Sequence, residues 1–514
     1  MSRKLIKSTA LTGGMTLVSR MTGLIRDVIF ARFLGASAGV AADAFYVAFA
    51  IPNFFRRIFG EGAFSQAFVP VLTAHKNGNE LAATRTFVGN MSGVFGLLLF
   101  LVTLVGVIAA PILVTLLAPG FLQHGDKYDL TVEMLRITFP YLMFISLVAM
   151  SAGILNSHQQ FGAAAFTPVL LNVCLIGAAV LAAPHMAQPV LALAWGVFAA
   201  GVVQLLFQIP FLLKINMLVW PRLRLDPEVK KVFRLMGPAI LGSSVAQINL
   251  LVNRVLASFL VTGSVSWLYF SDRLMEFPLA IFGIALATVI LPSLSQKHAE
   301  ASPQEFSRLL DWALRWVLMI GLPATVGLVL LSRAIMTTLF HYKEFNALDV
   351  EMSAQALMAF ALGLLGFIGV KILAPGFYAR QDTKTPAKIA MISFAVNIVL
   401  SLLLVWPLKH VGLALSISLA AFVNAGLLFL RLHKDQVYRP ETGWLLFSGK
   451  IVIASSLMAA LLYWGVGDAN SWLQAGFWER VQWLSFWVIT SILLYIGCLL
   501  LMGIKPRHLL LKHP

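Results

Sequence analysis

Residues 137–213 contain no Asp, Glu, Lys or Arg. A water-soluble domain needs charge on its surface and does not run 77 residues without any. Shorter charge-free runs cover 86–125, 235–253, 277–296, 352–370, 389–408, 410–430 and 481–504. Most match the roughly 20 residues that carry a helix across the hydrocarbon core. The longest run breaks at 156–162 and again at 184–189, where Asn, Gly and Pro collect, so it holds parts of three spans. Hydrophobic residues make up 59% of the 514, and charged residues 12%, about half the share usual in soluble domains. These numbers exclude a disordered chain and a soluble globular enzyme, and leave an all-α polytopic membrane protein.

The pattern divides into fourteen expected transmembrane helices: roughly 8–34, 43–74, 86–117, 130–156, 163–183, 189–213, 234–261, 267–295, 312–332, 352–378, 386–406, 411–431, 446–466 and 481–503. With the N-terminus placed in the cytoplasm, the cytoplasmic segments hold 24 Lys and Arg. The opposite side holds five: Lys127, Arg333, Lys343, Lys409 and Arg480. Cytoplasmic loops carry the excess of Lys and Arg, so this asymmetry orients the chain with both termini inside. Arg3, Lys4 and Lys7 precede the first span without a cleavage site after them, which reads as a cytoplasmic tail. The net charge of +16 then belongs to loops touching anionic lipid, not to nucleic-acid binding. The two cysteines, Cys174 and Cys498, lie inside apolar runs, and no two of the ten histidines have ligand spacing on a helix. No metal site, cofactor or disulfide framework is expected.

An internal repeat organises the spans. Ala31-Arg-Phe-Leu-Gly through Pro52 aligns without a gap to Ala257-Ser-Phe-Leu-Val through Pro278. Phe68-Val-Pro70 parallels Ile290-Leu-Pro292, Thr167-Pro168 parallels Thr385-Pro386, and Leu191-Ala-Leu193 parallels Leu413-Ala-Leu415. Spans 1–6 and 7–12 therefore read as two copies of a six-helix bundle, and an even number of spans makes the copies parallel. The expected division is an N-terminal lobe at 1–220, a C-terminal lobe at 221–440 and an extra pair, spans 13 and 14, at 441–514. Two such halves around a central site are a transporter plan.

Nine cations fall within the spans: Arg20, Arg26, Arg32, Arg56, Arg57, Arg136, Arg254, Arg273 and Lys371. Five carboxylates join them: Asp27, Glu61, Glu133, Asp272 and Glu276. A cation at mid-bilayer costs about 2.5–3.5 kcal/mol on insertion scales, so each must pair, reach the interface or face a hydrated cavity. Helical spacing pairs Arg57 with Glu61, Glu133 with Arg136, and Arg273 with Glu276, Asp272 lying alongside. Arg32 and Arg136 reach the interface. Arg20, Arg26, Arg56, Arg254 and Lys371 have no acid three or four residues away. Gly23 is placed to kink span 1 and aim Arg20 and Arg26 to one side, and Pro52 with Gly60-Glu-Gly62 to break span 2 near Arg56. The excess of positive charge reads either as a cavity for an anionic, phosphate-bearing substrate or as interhelical ion pairs that hold the bundles together.

Several strings resemble the MurJ (MviN) family of bacterial lipid II flippases. They are Ser19-Arg-Met-Thr-Gly-Leu-Ile-Arg-Asp27, Asp43-Ala-Phe45 and Pro52-Asn-Phe-Phe-Arg-Arg-Ile-Phe-Gly-Glu-Gly-Ala-Phe-Ser-Gln-Ala-Phe-Val-Pro70. Gly237-Pro-Ala-Ile-Leu-Gly242, Asp272-Arg-Leu-Met-Glu-Phe-Pro278 and Ala374-Pro-Gly-Phe-Tyr-Ala-Arg-Gln-Asp-Thr-Lys-Thr-Pro386 belong with them. The resemblance implies the multidrug/oligosaccharidyl-lipid/polysaccharide exporter superfamily, with two lobes, a central cavity, and spans 13 and 14 as a groove for a lipid tail. The implied partner is lipid II, undecaprenyl-pyrophosphate carrying a disaccharide-pentapeptide, moved across the bacterial inner membrane by a transporter, not an enzyme. The resemblance puts Arg20, Arg26, Asp27, Asp43, Arg56 and Arg273 in the substrate-binding set. Ser19, Asn53, Arg57, Glu61, Asp272, Glu276 and Lys371 follow as secondary cavity or gate candidates. Some members of the family carry a sodium site between spans 7, 11 and 12; here those spans hold no acid, and Asp382 lies only near them. The alternatives are a flippase for another polyprenyl-pyrophosphate-linked oligosaccharide and a polyprenyl-phosphate glycosyltransferase. The latter needs paired carboxylates near a membrane face, and Asp272 with Glu276 is the one close intramembrane pair.

Overall fold

The computed structural model describes residues 3–37, 39–57, 63–78 and 81–504; these form helices and connections, with no strand among them. Two compact units emerge, Met1–Val265 and Ser266–Pro514. The first holds α1 (Arg3–Leu34), α2 (Ala41–Arg56), α3 (Ser65–Gly78), α4 (Leu81–Ile108), α5 (Ala110–Leu117), α6 (Gly125–Thr138), α7 (Tyr141–Ser157), α8 (Phe161–Gly177), α9 (Pro189–Lys214) and α10 (Pro227–Ser258). After α11 (Ser264–Pro278), which opens the second, come α12 (Ala285–Ala299), α13 (Pro303–Leu330), α14 (Ser332–Phe340), α15 (Ala347–Leu362), α16 (Leu364–Tyr378), α17 (Lys384–Lys434), α18 (Trp444–Gly465), α19 (Ala469–Gln474) and α20 (Phe477–Leu501).

Nine stretches among the described residues are long and apolar enough to cross a bilayer. Expected spans 3 to 6, 9, 10, 13 and 14 each fall on one of them. Spans 11 and 12 share the 51-residue α17, which leaves helical geometry at Lys409 (φ 51°, ψ −130°). The break follows Pro407, which has no N–H for the helical ladder. Expected span 2 divides between α2, ending at Arg56, and α3, beginning at Ser65, while α1 continues through Gly23 as one helix.

In the first unit α1 lies against α8, α7 against α9 and α2 against α6. Its core is aromatic: Phe64 stacks on Phe68 and Phe95, and Phe68 on Phe87. In the second, α16 lies against α17, and α18 against both α13 and α20. Lipid tails are as apolar as the side chains, so helices associate by close packing of small residues. Gly366 shows how close: an added Cβ would stand 2.9 Å from the Ala421 backbone.

Asp311 joins the start of α13 to the connection between α17 and α18. Its buried carboxylate accepts from Arg315 Nε (2.7 Å), Tyr438 Oη (2.9 Å), Trp444 Nε1 (2.6 Å) and the Glu441 amide (3.1 Å). The Arg315 guanidinium stacks over Trp444 and Phe447. Replacing Asp311 by Ala strands buried donors, each at a cost of about 1–3 kcal/mol. The Asp311→Ala protein should lose about 3 kcal/mol of unfolding stability in micelles.

A second anchor holds α20. Arg480 is 5% exposed and donates to the carbonyls of Thr337, His341 and Leu473 and to His341 Nδ1 at 3.2 Å. A guanidinium only donates, so Nδ1 accepts and His341 is held neutral. Burial, and then the Arg480 charge, push this loop histidine below its ordinary value. The unfolded chain therefore binds a proton at a pH where the folded one does not. Unfolding temperature should fall as pH drops below about 6.5 and level off beneath the folded value, and His341→Gln should flatten that dependence.

Candidate functional site

Arg26 and Asp27 follow one another in α1, and both are buried. Arg26 donates Nε (3.0 Å) and Nη2 (2.6 Å) to Asp27 Oδ1, and Nη1 to Asn172 Oδ1 (3.1 Å) on α8. Asn172 Nδ2 in turn donates to the Ser19 carbonyl (3.0 Å) and to Thr22 Oγ1 (3.1 Å). The Phe30 ring lies 5.7 Å from the guanidinium carbon. Helical spacing gave Arg26 no acid; the structure gives it the neighbouring one. Asn172 is the residue that sequence reasoning missed. It lies 146 positions from Arg26 in an apolar run, where one polar side chain carries no spacing signal. Arg20, one turn and a half earlier, is half-buried and makes no hydrogen bond or ion pair among the described residues.

Asp43 is a helical acid. It sits in the first turn of α2, 1% exposed, where its Oδ2 accepts from Lys127 Nζ at 2.7 Å and from the Gly263 amide at 2.8 Å. Lys127, which the loop pattern placed among outer cations, is 2% exposed and stands 4.3 Å from the centre of the Phe121 ring. The only hint in the sequence was a lysine on the side that holds so few.

Further along, Arg56 Nε donates to Asn53 Oδ1 (3.1 Å), and Asn53 Nδ2 to the Phe49 carbonyl (2.9 Å). Arg57 is exposed, and its expected partner Glu61 lies outside the described residues. Glu133 and Arg136 are both exposed and form no ion pair, so that helical spacing is not used. In the second unit Arg273 Nη1 does pair with Glu276 Oε2 at 3.0 Å, both partly exposed, and Asp272 is half-buried beside them. Lys371 is exposed on α16. Among the described residues no group of His, Cys, Asp and Glu could hold a metal ion.

Two clusters in the first unit are thus built around buried charge. Removing one partner of such a pair costs about 3–5 kcal/mol, because the other charge is stranded. Lys127→Met should therefore destabilise the protein by about that amount, and Lys127→Met with Asp43→Asn by less than the sum of the two single changes. A double-mutant cycle on unfolding in micelles measures the coupling.

Comparisons with known proteins identify the family. The family model described as lipid II flippase MurJ matches residues 30–479. A probable lipid II flippase MurJ of Vibrio cholerae is 44% identical, with 99% of this chain and 98% of the relative aligned. The lipid II flippase MurJ of Burkholderia cenocepacia is 43% identical, with 98% of each aligned. Among solved structures, a lipid II flippase MurJ in an inward closed conformation superposes with a TM-score of 0.80 at 25% identity, over 95% of this chain and 98% of that one. An inward-facing multidrug resistance transporter of the MATE family shares the fold, with a TM-score of 0.68 at 15% identity over 83% of this chain and 98% of that one. A match over most of the length, carried by both sequence and fold, fixes the assignment: the chain belongs to the MurJ family of lipid II flippases.

Proposed function

We propose that this protein moves lipid II from the cytoplasmic to the outer leaflet of the bacterial inner membrane, without chemical change to it. The observation that carries the reading is family membership along nearly the full chain. The charge pattern supports it. Lipid II presents a pyrophosphate, and guanidinium groups bind phosphate oxygens through paired N–H bonds. Of the six proposed binding residues, Arg20 has its guanidinium uncommitted. Arg26 is already aligned by Asp27 and Asn172. An arginine fixed in this way loses little side-chain freedom when an anion arrives. Arg56 and Arg273 complete the proposed set, with Asp43 tying α2 in place through Lys127.

The fourteen-span count, the repeat boundaries at 220 and 440, the cytoplasmic termini and the lipid-tail role of the last two spans belong to the same reading. The lipid tail stays in the bilayer while the head group passes through by alternating access. An anionic head group moving outward is favoured by an inside-negative potential, by about 2.3 kcal/mol per charge per 100 mV. The glycosyltransferase alternative has no support in the acids, since Glu276 is engaged by Arg273.

The test is complementation in a bacterium depleted of its own flippase. The readout is lipid II exposed on the outer leaflet, with protein abundance followed on a blot. The wild-type chain should restore exposure. Arg26→Ala at equal abundance should lower it about tenfold or more, since one lost charged contact is worth about 1.5–3 kcal/mol. Arg26→Lys, which keeps the charge but not the fork, should fall between them. A well-expressed wild-type chain that fails to restore exposure would overturn lipid II as the substrate.

A further inference from the structure

The connection from α9 to α10 is an extended strap laid across α4. Met217 is buried and Val219 packs against the aromatic core beneath. The Arg222 amide donates to the Gly89 carbonyl at 2.8 Å. A Cβ on Gly93 would fall 2.3 Å from the Arg222 carbonyl oxygen, and one on Gly89 3.1 Å from that of Trp220, so the strap's backbone occupies space that any side chain on Gly93 would fill. Asp226 closes the strap: one oxygen accepts from Asn90 Nδ2 (2.8 Å), the other from the Val229 amide (2.8 Å), capping α10.

With its backbone fixed, the strap turns its side chains outward. Trp220 is 89% exposed, Leu223 73% and Leu225 52%, and Arg222 and Arg224 alternate with them, also exposed. Large apolar groups held rigidly in water are unfavourable. Trp, Leu and Arg interleaved at the end of a span suit the headgroup region, where the indole sits at the interface and guanidinium groups meet phosphate. Lys214, Lys230, Lys231 and Arg234 flank the strap. Against these six cations stand Asp226, which is committed to the cap, and Glu228, which is 3.9 Å from Lys231.

We propose that residues 220–225 dock on the acidic phospholipid headgroups of the leaflet at the C-terminal end of α9. The docking rests on the chain spanning a bilayer; which leaflet it is rests on the orientation proposed above. The experiment uses the full chain carrying Cys174→Ala and Cys498→Ala, with Leu223→Cys bearing a bimane fluorophore, in vesicles of phosphatidylcholine and phosphatidylglycerol. Quenching by spin-labelled phosphatidylglycerol is compared with quenching by spin-labelled phosphatidylcholine at equal mole fraction. The acidic lipid should quench about threefold more strongly, and Arg222→Gln with Arg224→Gln should remove the difference. Equal quenching by the two lipids in the parent protein would overturn recognition of acidic headgroups. So would no quenching at Leu223→Cys while a label at Trp195→Cys, exposed two turns into α9, is quenched, which would leave the strap facing water or a protein. Reaction of the same cysteine with an impermeant maleimide, in intact and in lysed cells, reports the side of the membrane separately. Labelling from outside would overturn the orientation and leave the docking result standing.

Discussion

A charge taken out of water must be given back what water supplied, and in this protein that requirement decides where helices meet. Arg26 receives Asp27 and Asn172, and the Asn172 contacts fix α8 to α1. Asp43 receives Lys127 and the Gly263 amide, which tie α2 to α6 and to the turn after α10. Asp311 gathers four donors and secures the connection into α18, and Arg480 does the same for α20 through backbone carbonyls. Each cluster includes at least one group distant in sequence, Asn172, Lys127, Tyr438 or Thr337, so none stays complete if the local bundle comes apart. Buried pairs of this kind add little net stability over apolar packing, and their stronger effect is to penalise every arrangement that leaves one partner alone.

Close packing supplies the rest. Helices in lipid gain nothing from hiding oil from oil, so contact distance matters more than apolar area. Gly366 lets α16 approach α17, and Gly93 lets the 215–226 strap lie on α4. The same strap shows how one constraint serves two ends. The glycine that admits the backbone also turns the tryptophan, leucines and arginines outward toward the headgroups.

The arrangement around Arg26 enters the proposed function through its charge. A MATE transporter shares this fold at 15% identity, so the fold alone does not choose a cargo. In the proposed function, the charges placed within it do. Here α1 carries two arginines and one acid in its middle, with one arginine aligned by its neighbours and the other uncommitted. In the function proposed above, these are the charges an anionic head group would meet.

Much of the fold was legible in the chain. Charge-free runs of bilayer length follow from solvation energies that act on each segment separately, so a sequence shows them without a structure. The Arg273–Glu276 pair was legible for the same reason, since helical spacing is a local property. The partners of Arg26 and Asp43 were not. Asn172 lies 146 residues from Arg26, and Lys127 lies 84 from Asp43. Nor was the failure of Glu133 to meet Arg136, whose correct spacing on a helix is left unused at an exposed face. Burial decides whether a charge needs a partner, and burial is set by which helices pack together. The sequence by itself determined that the chain crosses a membrane and which family it belongs to. Only the tertiary structure decided which charges answer one another, because that depends on distances between helices that no local pattern encodes.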